Sequence, residues 1–364
     1  MRYDWLSVDK YSNFPRIFRI FGVGIMKRTK QYFLAAAIVI LAVAAYFGIK
    51  TWHSLTSSYE GGDAWVYIPR DATEKSVEDS LRSALGTNYG GSVADVWRLA
   101  KGQAATAHGA YLIKNGDRVI DVARRLKRGA QTPVKITFNN IRFLSELSET
   151  VGRQMEFDAE DFMAACEKVL PEAGFKKEGF VAAFLPDTYE FYWTSGAEPT
   201  VKRLLDYRNK YWNDERRAKA KSLGLTPVQV ATIASIVEEE TAAESERPIV
   251  ARLYLNRLKT GMKLQADPTV KFAVGDFGLR RILNRHLETV SPYNTYQIHG
   301  LPPGPIRLPS ATTMSGVLDA PDHNYLYMCA KEDFSGRHNF ATTLSAHNAN
   351  ASRYREALNK RGIK

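Results

Sequence analysis

The sequence is poor in cysteine, and it lacks the usual marks of nucleotide or nucleic-acid binding. Only Cys166 and Cys329 are cysteines among its 364 residues, and their wide separation indicates neither a disulfide nor a metal pair. We expect two small buried side chains instead. There is no zinc-finger spacing, no P-loop and no RNA-binding aromatic motif. Nucleic acid is therefore not an expected partner, although the formal net charge is +11.

The histidines do not predict a metal site. His338 and His347 are close in sequence, but no spacing suggests the third ligand that a zinc site needs. We expect them to be structural residues or substrate contacts, and we expect no metal and no cofactor. The positive charge then favours an anionic membrane surface or an anionic polymer as partner.

One uncharged apolar run, residues 32–49, is close to the length of a membrane-spanning helix. Residues 1–31 before it are rich in Lys and Arg, which favours a cytoplasmic N-terminus. A cleaved signal peptide is the alternative reading. Small-residue cleavage sites are not evident after Ile49, so we expect an uncleaved anchor with the rest of the chain outside the cytoplasm. Either Met1 or Met26 could be the start.

The remaining chain predicts an α+β protein with two folded parts. Residues 50–64 are a linker, residues 65–138 a small α+β subdomain, and residues 139–364 a mixed α+β domain. Within the first part, Glu74–Leu85 has helical spacing and Val134–Phe138 has strand character. In the second part we expect a solvated helix over 203–221, strands over 324–330 and from 338, and a terminal helix over 350–361.

A helix with a clear N-terminal signal lies in the middle of the larger domain, over residues 226–241. Thr226 suits the N-cap, Pro227 suits the first helical position, and Gln229 completes a capping box. Apolar residues then recur at helical spacing and predict one buried face. The face consists of Val230, Ile233, Ala234 and Val237.

Three consecutive glutamates end this helix. Extending the apolar face at about 100° per residue places Glu240 on it, Glu239 on the opposite, solvent-facing side and Glu238 on the flank. Desolvation on the buried face would raise the pKa of Glu240, and a glutamate that is protonated near neutral pH can serve as a general acid. The alternative is that the three carboxylates simply end a solvated helix. A salt bridge to Arg247 or Arg252 is then the expected role of Glu238 or Glu244.

Two further segments are candidates for substrate contact. A second helix begins near residue 247 and carries Asn256 on its apolar side, where a buried amide needs partners and is either a hydrogen-bond hub or a substrate contact. Pro- and Gly-rich loops follow, and they suit a cleft wall. Upstream, FLPDTYEFY over residues 184–192 fits a sugar-binding wall or a packed loop equally well.

Six motifs occur in order over residues 234–348. They are ASIVEEET, SERPIVARLYLNRL, GMKLQADPTV, YNTYQIHGLPPGPI, NYLYM and HNFATTLSAHN. Together with FLPDTYEFY they resemble the catalytic domain of the MltG/YceG-like endolytic murein transglycosylases. The resemblance covers roughly residues 65–361. A looser similarity links NGDRVIDVARRL, residues 115–126, to LysM modules, which bind glycans containing N-acetylglucosamine. A small α+β module with no ligand is the alternative there.

The resemblance implies cleavage of the β-1,4 bond between N-acetylmuramic acid and N-acetylglucosamine in nascent peptidoglycan strands. The C6 hydroxyl of the muramic sugar attacks C1 and leaves a 1,6-anhydro end. The family's catalytic glutamate falls on Glu240, which would protonate the leaving oxygen and then take the proton of the C6 hydroxyl. Supporting or substrate-binding candidates are Asn256, Gln265, Asp267, Thr269, Tyr293, Asn294 and Glu238.

The resemblance also implies a place and partners. The location is the cytoplasmic (inner) membrane, with the catalytic domain on its outer side. The partners are nascent glycan strands and the peptidoglycan synthases called penicillin-binding proteins. Two alternatives stay open. One is a hydrolase in which Asp267 is the second carboxylate, since ordinary glycosidases use two. The other is a glycan-binding scaffold without activity.

Overall fold

The computed structural model describes residues 16–279 and 281–362, and the chain divides into two compact units, residues 1–131 and 132–364. The start at Met1 or Met26 involves residues 1–15, which lie outside the described part. From residue 16 onward the first unit has these elements in order: α1 (Arg16–Thr56), β1 (Ala64–Ile68), α2 (Glu74–Leu85), α3 (Thr87–Leu99), α4 (Ala104–Ala107), β2 (Gly109–Ile113) and α5 (Val119–Arg128).

The first helix contains the apolar run. Its segment Tyr32–Lys50 is long and apolar enough to cross a membrane, and its side chains lie exposed on the protein. This composition suits a membrane anchor and a signal sequence alike. After it, β1 and β2 pair antiparallel from Ala64 opposite Ile113 to Ile68 opposite Gly109. Helices α2, α3 and α5 cover this ribbon with an apolar core that includes Leu81, Trp97 and Leu126.

The second unit is mostly helical. Its elements are β3 (Val134–Phe138), α6 (Leu144–Gly152), α7 (Ala159–Glu172), β4 (Asp187–Phe191), α8 (Ala197–Tyr211), α9 (Asp214–Ser222), α10 (Pro227–Glu240), α11 (Arg247–Lys259), α12 (Asp267–Val274), α13 (Asn284–Leu287), α14 (Ala311–Leu318), β5 (Tyr327–Ala330), β6 (His338–Ala341) and α15 (Leu344–Lys360). Its strands form two antiparallel pairs, β3 with β4 and β5 with β6. The mixed helix and strand content agrees with the α+β class.

Three elements differ from the sequence-based expectation. Strand β3, expected in the small subdomain, pairs with β4 and so belongs to the second unit. The single solvated helix expected over 203–221 is wrong, because α8 ends at the buried Trp212 and Asn213 caps a separate α9 through a bond from the Arg216 amide. The terminal helix starts six residues earlier than expected, because the Thr343 side chain caps it.

The segment FLPDTYEFY contains strand β4, and its aromatic side chains pack into the core except for Tyr192, which is 52% exposed. Phe184, Tyr189 and Phe191 are each at most 3% exposed. Tyr189 stacks on Phe138 of the neighbouring strand, with ring centroids 5.3 Å apart. The aromatic side chains therefore hold β4 against the core.

Helix α10 is the centre of the second unit. Val230–Val237 is buried at every position, so the helix is surrounded by protein and has no solvent-facing side in this stretch. Its neighbours are α11, α12 and α14, which supply core residues such as Val250, Val270 and Val317. Burial on all sides fixes the direction in which the last turn of α10 presents its glutamates.

Candidate active site

The N-terminus of α10 has the capping box that the sequence predicts. The Thr226 side chain accepts a hydrogen bond from the Gln229 amide at 3.3 Å, and the Gln229 side chain accepts one from the Thr226 amide at 2.8 Å. The helix runs from Pro227 to Glu240 and ends at Thr241, whose backbone is extended. These bonds fix where the helix begins, and the helical period then sets the direction of each glutamate.

Glu238 and Glu239 hold the end of α10 in place through other elements. Glu239 does not face solvent as expected: it forms ion pairs with Arg307 at 2.9 Å and with Arg142 at 3.1 Å. The expected partners of Glu238, Arg247 or Arg252, are also wrong. Its side chain, 6% exposed, lies near Arg307 and accepts hydrogen bonds from the backbone amide and hydroxyl of Ser310. The acidic pair therefore has a structural function. The expected ion pair between Glu244 and Arg247 is present at 3.6 Å.

The side chain of Glu240 contacts a different element, helix α11. Its Oε1 accepts a hydrogen bond of 2.8 Å from the hydroxyl of Tyr254 on α11. Burial raises the pKa of Glu240 to about 7, and the negative charge of Asp267 acts in the same direction, whereas the bond from Tyr254 lowers it. The expectation of a raised pKa agrees with this value. At neutral pH a substantial fraction of Glu240 is protonated and can deliver a proton.

A cavity of about 240 Å³ opens beside Glu240. Its walls come from the ends of α10 and β5, from α11, from residues 264–267 at the start of α12, from the loop that carries Tyr296, and from the first residue of β6. The lining residues are Glu240, Leu253, Tyr254, Arg257, Leu264, Gln265, Asp267, Tyr296, Met328, Cys329, Ala330 and His338. Of the eight candidates from the sequence, the structure brings Glu240, Gln265 and Asp267 together here.

Asp267 and Gln265 lie on the wall formed by the LQADPTV segment, and both are exposed. Asp267 is the first residue of α12, and its Oδ1 accepts a hydrogen bond of 2.7 Å from the hydroxyl of Tyr296. Gln265 has a φ of +48°, in the left-handed region that costs a non-glycine residue energy. Such strain is retained where the surrounding structure enforces it, and it is frequent at functional sites.

Thr269 enforces this loop conformation from within the protein. It is fully buried and bonds to the Thr295 hydroxyl at 2.8 Å and to the Ala266 carbonyl at 2.6 Å. Thr295 in turn accepts from the Ala266 amide at 2.9 Å. Thr269 has no surface for a substrate, and its contribution to the site is support.

Three other candidates lie away from the cavity lining. Asn256 donates to the carbonyls of His323 and Tyr325, at 2.7 and 3.1 Å, and is thus a hydrogen-bond hub. Asn294 is fully buried and donates to the carbonyls of Leu287 and Thr289. Tyr293 packs on Phe272 with ring centroids 4.7 Å apart. These residues shape the loops around the site without contacting its interior.

The residues that sequence reasoning missed are Tyr254, Arg257 and Tyr296. Tyr254 is 1% exposed and Arg257 is 9% exposed, and a buried residue on an apolar helix face resembles any core position in the sequence. Arg257 donates to the carbonyls of Leu264 and Leu326, which fixes two cavity walls. The sequence holds one signal for Tyr296, because it belongs to the YNTY motif together with the candidates Tyr293 and Asn294.

No group of three His, Cys, Asp or Glu residues that could hold a metal ion occurs within residues 16–279 and 281–362. The chemistry open to this cavity with its own side chains is proton transfer. Glu240 can donate a proton, and Asp267 and the imidazole of His338 are acceptors near it. A glycosidic oxygen is a leaving group that such an acid can protonate.

Comparisons with known proteins agree with this reading. A family model described as the YceG-like family matches residues 66–353. A protein named endolytic murein transglycosylase from Bacillus subtilis (strain 168) is 28% identical over 282 residues, which are 72% of this chain and 76% of that protein. A protein of the same name from Streptococcus pneumoniae (strain D39) is 24% identical over 355 residues, 87% of this chain and 63% of that protein.

A solved structure has a similar fold. The crystal structure of a putative yceG-like protein from Listeria monocytogenes matches with a TM-score of 0.53 and 22% sequence identity. The match covers 79% of this chain and 98% of that one, so nearly all of the Listeria protein has a counterpart here. At this identity the likeness shows a shared fold.

Proposed function

Because the chain belongs to the YceG-like family, we propose that it is a peptidoglycan lytic transglycosylase with Glu240 as its acid. Two relatives over most of its length are named endolytic murein transglycosylases. The observation that carries the proposal is the placement of Glu240: a carboxyl with a pKa of about 7, bound to Tyr254, on the wall of a cavity lined by polar groups.

The reaction divides into two proton movements. Protonated Glu240 gives its proton to the oxygen between C1 of N-acetylmuramic acid and N-acetylglucosamine, and the C1–O bond breaks. The C6 hydroxyl of the muramic unit then bonds to C1, and its proton passes to the Glu240 carboxylate. Tyr254 stabilises that carboxylate between the two steps by donating a hydrogen bond. No water is consumed, which is why one carboxyl can serve where ordinary glycosidases use two.

A hydrolase that uses Asp267 as base is the second candidate, and one observation favours it. Asp267 lines the same cavity, and among the described residues its side chain bonds only to Tyr296, through Oδ1. Its negative charge can equally stabilise the positive charge that develops at C1, and this role fits the transglycosylase. The two candidates differ in their products, which are anhydro ends or reducing ends.

We propose further that the enzyme is anchored in the cytoplasmic membrane through residues 32–49 and cuts glycan strands as they emerge. The exposed apolar segment of α1 supports the anchor. The basic residues before it favour a cytoplasmic N-terminus, with the catalytic unit on the outer side. Cutting near the membrane would limit strand length, and it would bring the enzyme next to the penicillin-binding proteins that extend the strands.

We propose that residues 1–31 are cytoplasmic, residues 32–49 cross the membrane and residues 50–64 are a linker. A LysM-like subdomain and a catalytic domain follow. The pair β1 and β2, with α2, α3 and α4 between them in sequence, gives the subdomain a small α+β arrangement, which fits a LysM-like module and a module without a ligand alike. The pairing of β3 with β4 supports a boundary near residue 131. Binding of N-acetylglucosamine oligomers by titration would test the glycan-binding role.

The test of activity uses the full chain in detergent with purified glycan strands, and mass spectrometry of the products. We expect 1,6-anhydro ends from the unchanged protein and none from Glu240→Gln. Glu239→Gln is the matched control, since its amide can still bond to Arg307 and it lies outside the cavity lining. Reducing ends alone would establish the hydrolase. Binding without cleavage would establish the scaffold, and full activity of Glu240→Gln would assign the acid to another residue.

A further inference from the structure

A buried carboxylate lies six residues beyond the end of α10 and holds His338 through both of its oxygens. Glu246 is 7% exposed, in the short 3-10 helix Glu244–Glu246 that leads into α11. Its Oε1 accepts the backbone amide of His338 at 3.0 Å, and its Oε2 accepts the Nδ1 hydrogen of the same residue at 3.0 Å. Oε2 also accepts a longer bond, 3.5 Å, from the Thr241 hydroxyl. The two oxygens together fix His338 in position and in ring orientation.

This bond determines what the imidazole can offer. With its hydrogen on Nδ1 directed at Glu246, the neutral ring has a free lone pair on Nε2. Within residues 16–279 and 281–362 no side chain or backbone group bonds to Nε2. The His338 side chain is 16% exposed, and the residue lines the same cavity as Glu240. A rigidly held acceptor thus faces the place where the sugar would react.

The proposed reaction needs such an acceptor. The C6 hydroxyl of the muramic unit turns freely about the C5–C6 bond, and water competes with it for C1. An internal hydroxyl wins that competition when it is held in the attacking geometry. Glu240 cannot hold it at the outset, because the carboxyl must enter the reaction protonated and its Oε1 is bound to Tyr254.

We propose that His338 is the residue that makes the C6 hydroxyl, and not water, the nucleophile. Nε2 accepts a hydrogen bond from this hydroxyl and directs its oxygen toward C1, and Glu246 is the positioning residue that fixes the ring. The C1–O bond to the leaving sugar breaks as that oxygen takes the Glu240 proton, and the C1–O6 bond forms. The O6 proton then passes to the Glu240 carboxylate, and His338 is unchanged. The inference rests on the proposed transglycosylase function.

The other free acceptors in the cavity are less suited to this role. Asp267 and Gln265 are exposed, and Asp267 is held only through the Tyr296 hydroxyl. An exposed acceptor orders water as readily as it orders a sugar hydroxyl. His338 is held at two points by a buried carboxylate, so little conformational freedom is lost when it binds the hydroxyl.

The test compares the products of variants of the full chain in detergent. His338→Asn keeps a donor for Glu246 but lacks an atom at Nε2, whereas His338→Gln places an amide near the Nε2 position. His347→Asn is the matched control, because His347 stacks on Tyr327 and does not line the cavity. The quantities are the rates of formation of anhydro ends and of reducing ends, with thermal melting as a check on folding.

We expect His338→Asn to form anhydro ends about 10- to 100-fold more slowly and to form reducing ends in their place. His338→Gln should restore part of the anhydro product, and Glu246→Gln should give an intermediate ratio. A folded His338→Asn variant with an unchanged product ratio would overturn the proposal, and so would a change of ratio in Asp267→Asn alone. If the unchanged protein forms no anhydro ends, the proposed function itself fails, which is a separate result.

Discussion

Tyr254 donates its phenolic hydrogen to Oε1 of Glu240 across 2.8 Å and so joins the last residue of α10 to the middle of α11. Tyr254 is buried and Glu240 is partly buried on the cavity wall, and desolvation raises the pKa of each above its usual range. The phenol therefore stays a donor at every relevant pH. Its hydrogen bond stabilises the ionised form of Glu240. Burial nevertheless keeps the pKa at about 7, so Glu240 is only partly ionised at neutral pH.

Removal of this donor should move the pH dependence of activity. The Tyr254 bond lowers the pKa of Glu240, so Tyr254→Phe should raise that pKa above about 7. Because the reaction begins with protonated Glu240, activity declines as pH rises through this pKa, and the decline should shift to higher pH in the variant. The measurement is the rate of anhydro-end formation from pH 5 to pH 9. Tyr293→Phe, outside the cavity lining, should leave the profile unchanged; a profile that does not move in Tyr254→Phe would contradict the assignment.

Glu240 should also make stability depend on pH. Its pKa rises from 4.5 to about 7 on folding, so between these values the folded state binds the proton that the unfolded state has lost. The free energy of unfolding then falls as pH rises through this window, by roughly 3 kcal/mol in total. Glu240→Gln cannot ionise and should be more stable than the unchanged protein at pH 8 and similar to it at pH 4. If the melting temperatures of the two proteins differ by the same amount at pH 4 and at pH 8, the prediction is wrong.

The buried carboxylate of Glu238 should matter for stability and not for the chemistry. Glu238→Ala leaves the Ser310 amide without its acceptor, whereas Arg307 keeps its ion pair with Glu239, so we expect a cost of about 1–3 kcal/mol. Glu190→Ala is the comparison, because Glu190 lies 60% exposed and 3.9 Å from Lys135, where the cost is within about 1 kcal/mol. Chemical denaturation of both variants measures the difference, and equal midpoints would show that the Glu238 contacts contribute little.

Thr269→Val should weaken the site from inside the protein. The substitution keeps the shape but removes the bonds to Ala266 and Thr295, at a cost of about 1–3 kcal/mol. The loop that carries Asp267 would lose its fixed position, and turnover should fall more than substrate affinity. Thr260→Val on the exposed end of α11 is the control. If Thr269→Val is destabilised but its kinetics are unchanged, the position of this loop does not affect catalysis.

Gln265 should show a conflict between stability and activity. Its φ of +48° is strained for a side chain but free for glycine, so Gln265→Gly should raise the free energy of unfolding by about 1 kcal/mol. The same change removes a side chain from the cavity wall, and activity should fall. Gln265→Asn tolerates this backbone better than most residues and should have intermediate stability. A glycine variant with higher activity would exclude a role for the side chain.

The sequence predicts elements whose signals are local. The capping box of Thr226 and Gln229 marks the start of α10, and the helical period directs Glu240 away from solvent, where the structure has the cavity. The period fails for Glu239, because its partners Arg142 and Arg307 lie 97 and 68 residues away in the chain. Burial of α10 on every side depends on such distant contacts, and no local pattern records them.

The walls of the cavity are far apart in the chain: Glu240 is on α10, and His338 follows almost a hundred residues later. Contacts of such high sequence separation form late in folding, because a long loop must close before they stabilise anything. A chain that emerges N-terminus first therefore presents its acid long before the residues that complete the pocket. A truncated or half-folded copy lacks the assembled pocket, and under the proposed mechanism we expect no cutting activity until the C-terminal hairpin has docked.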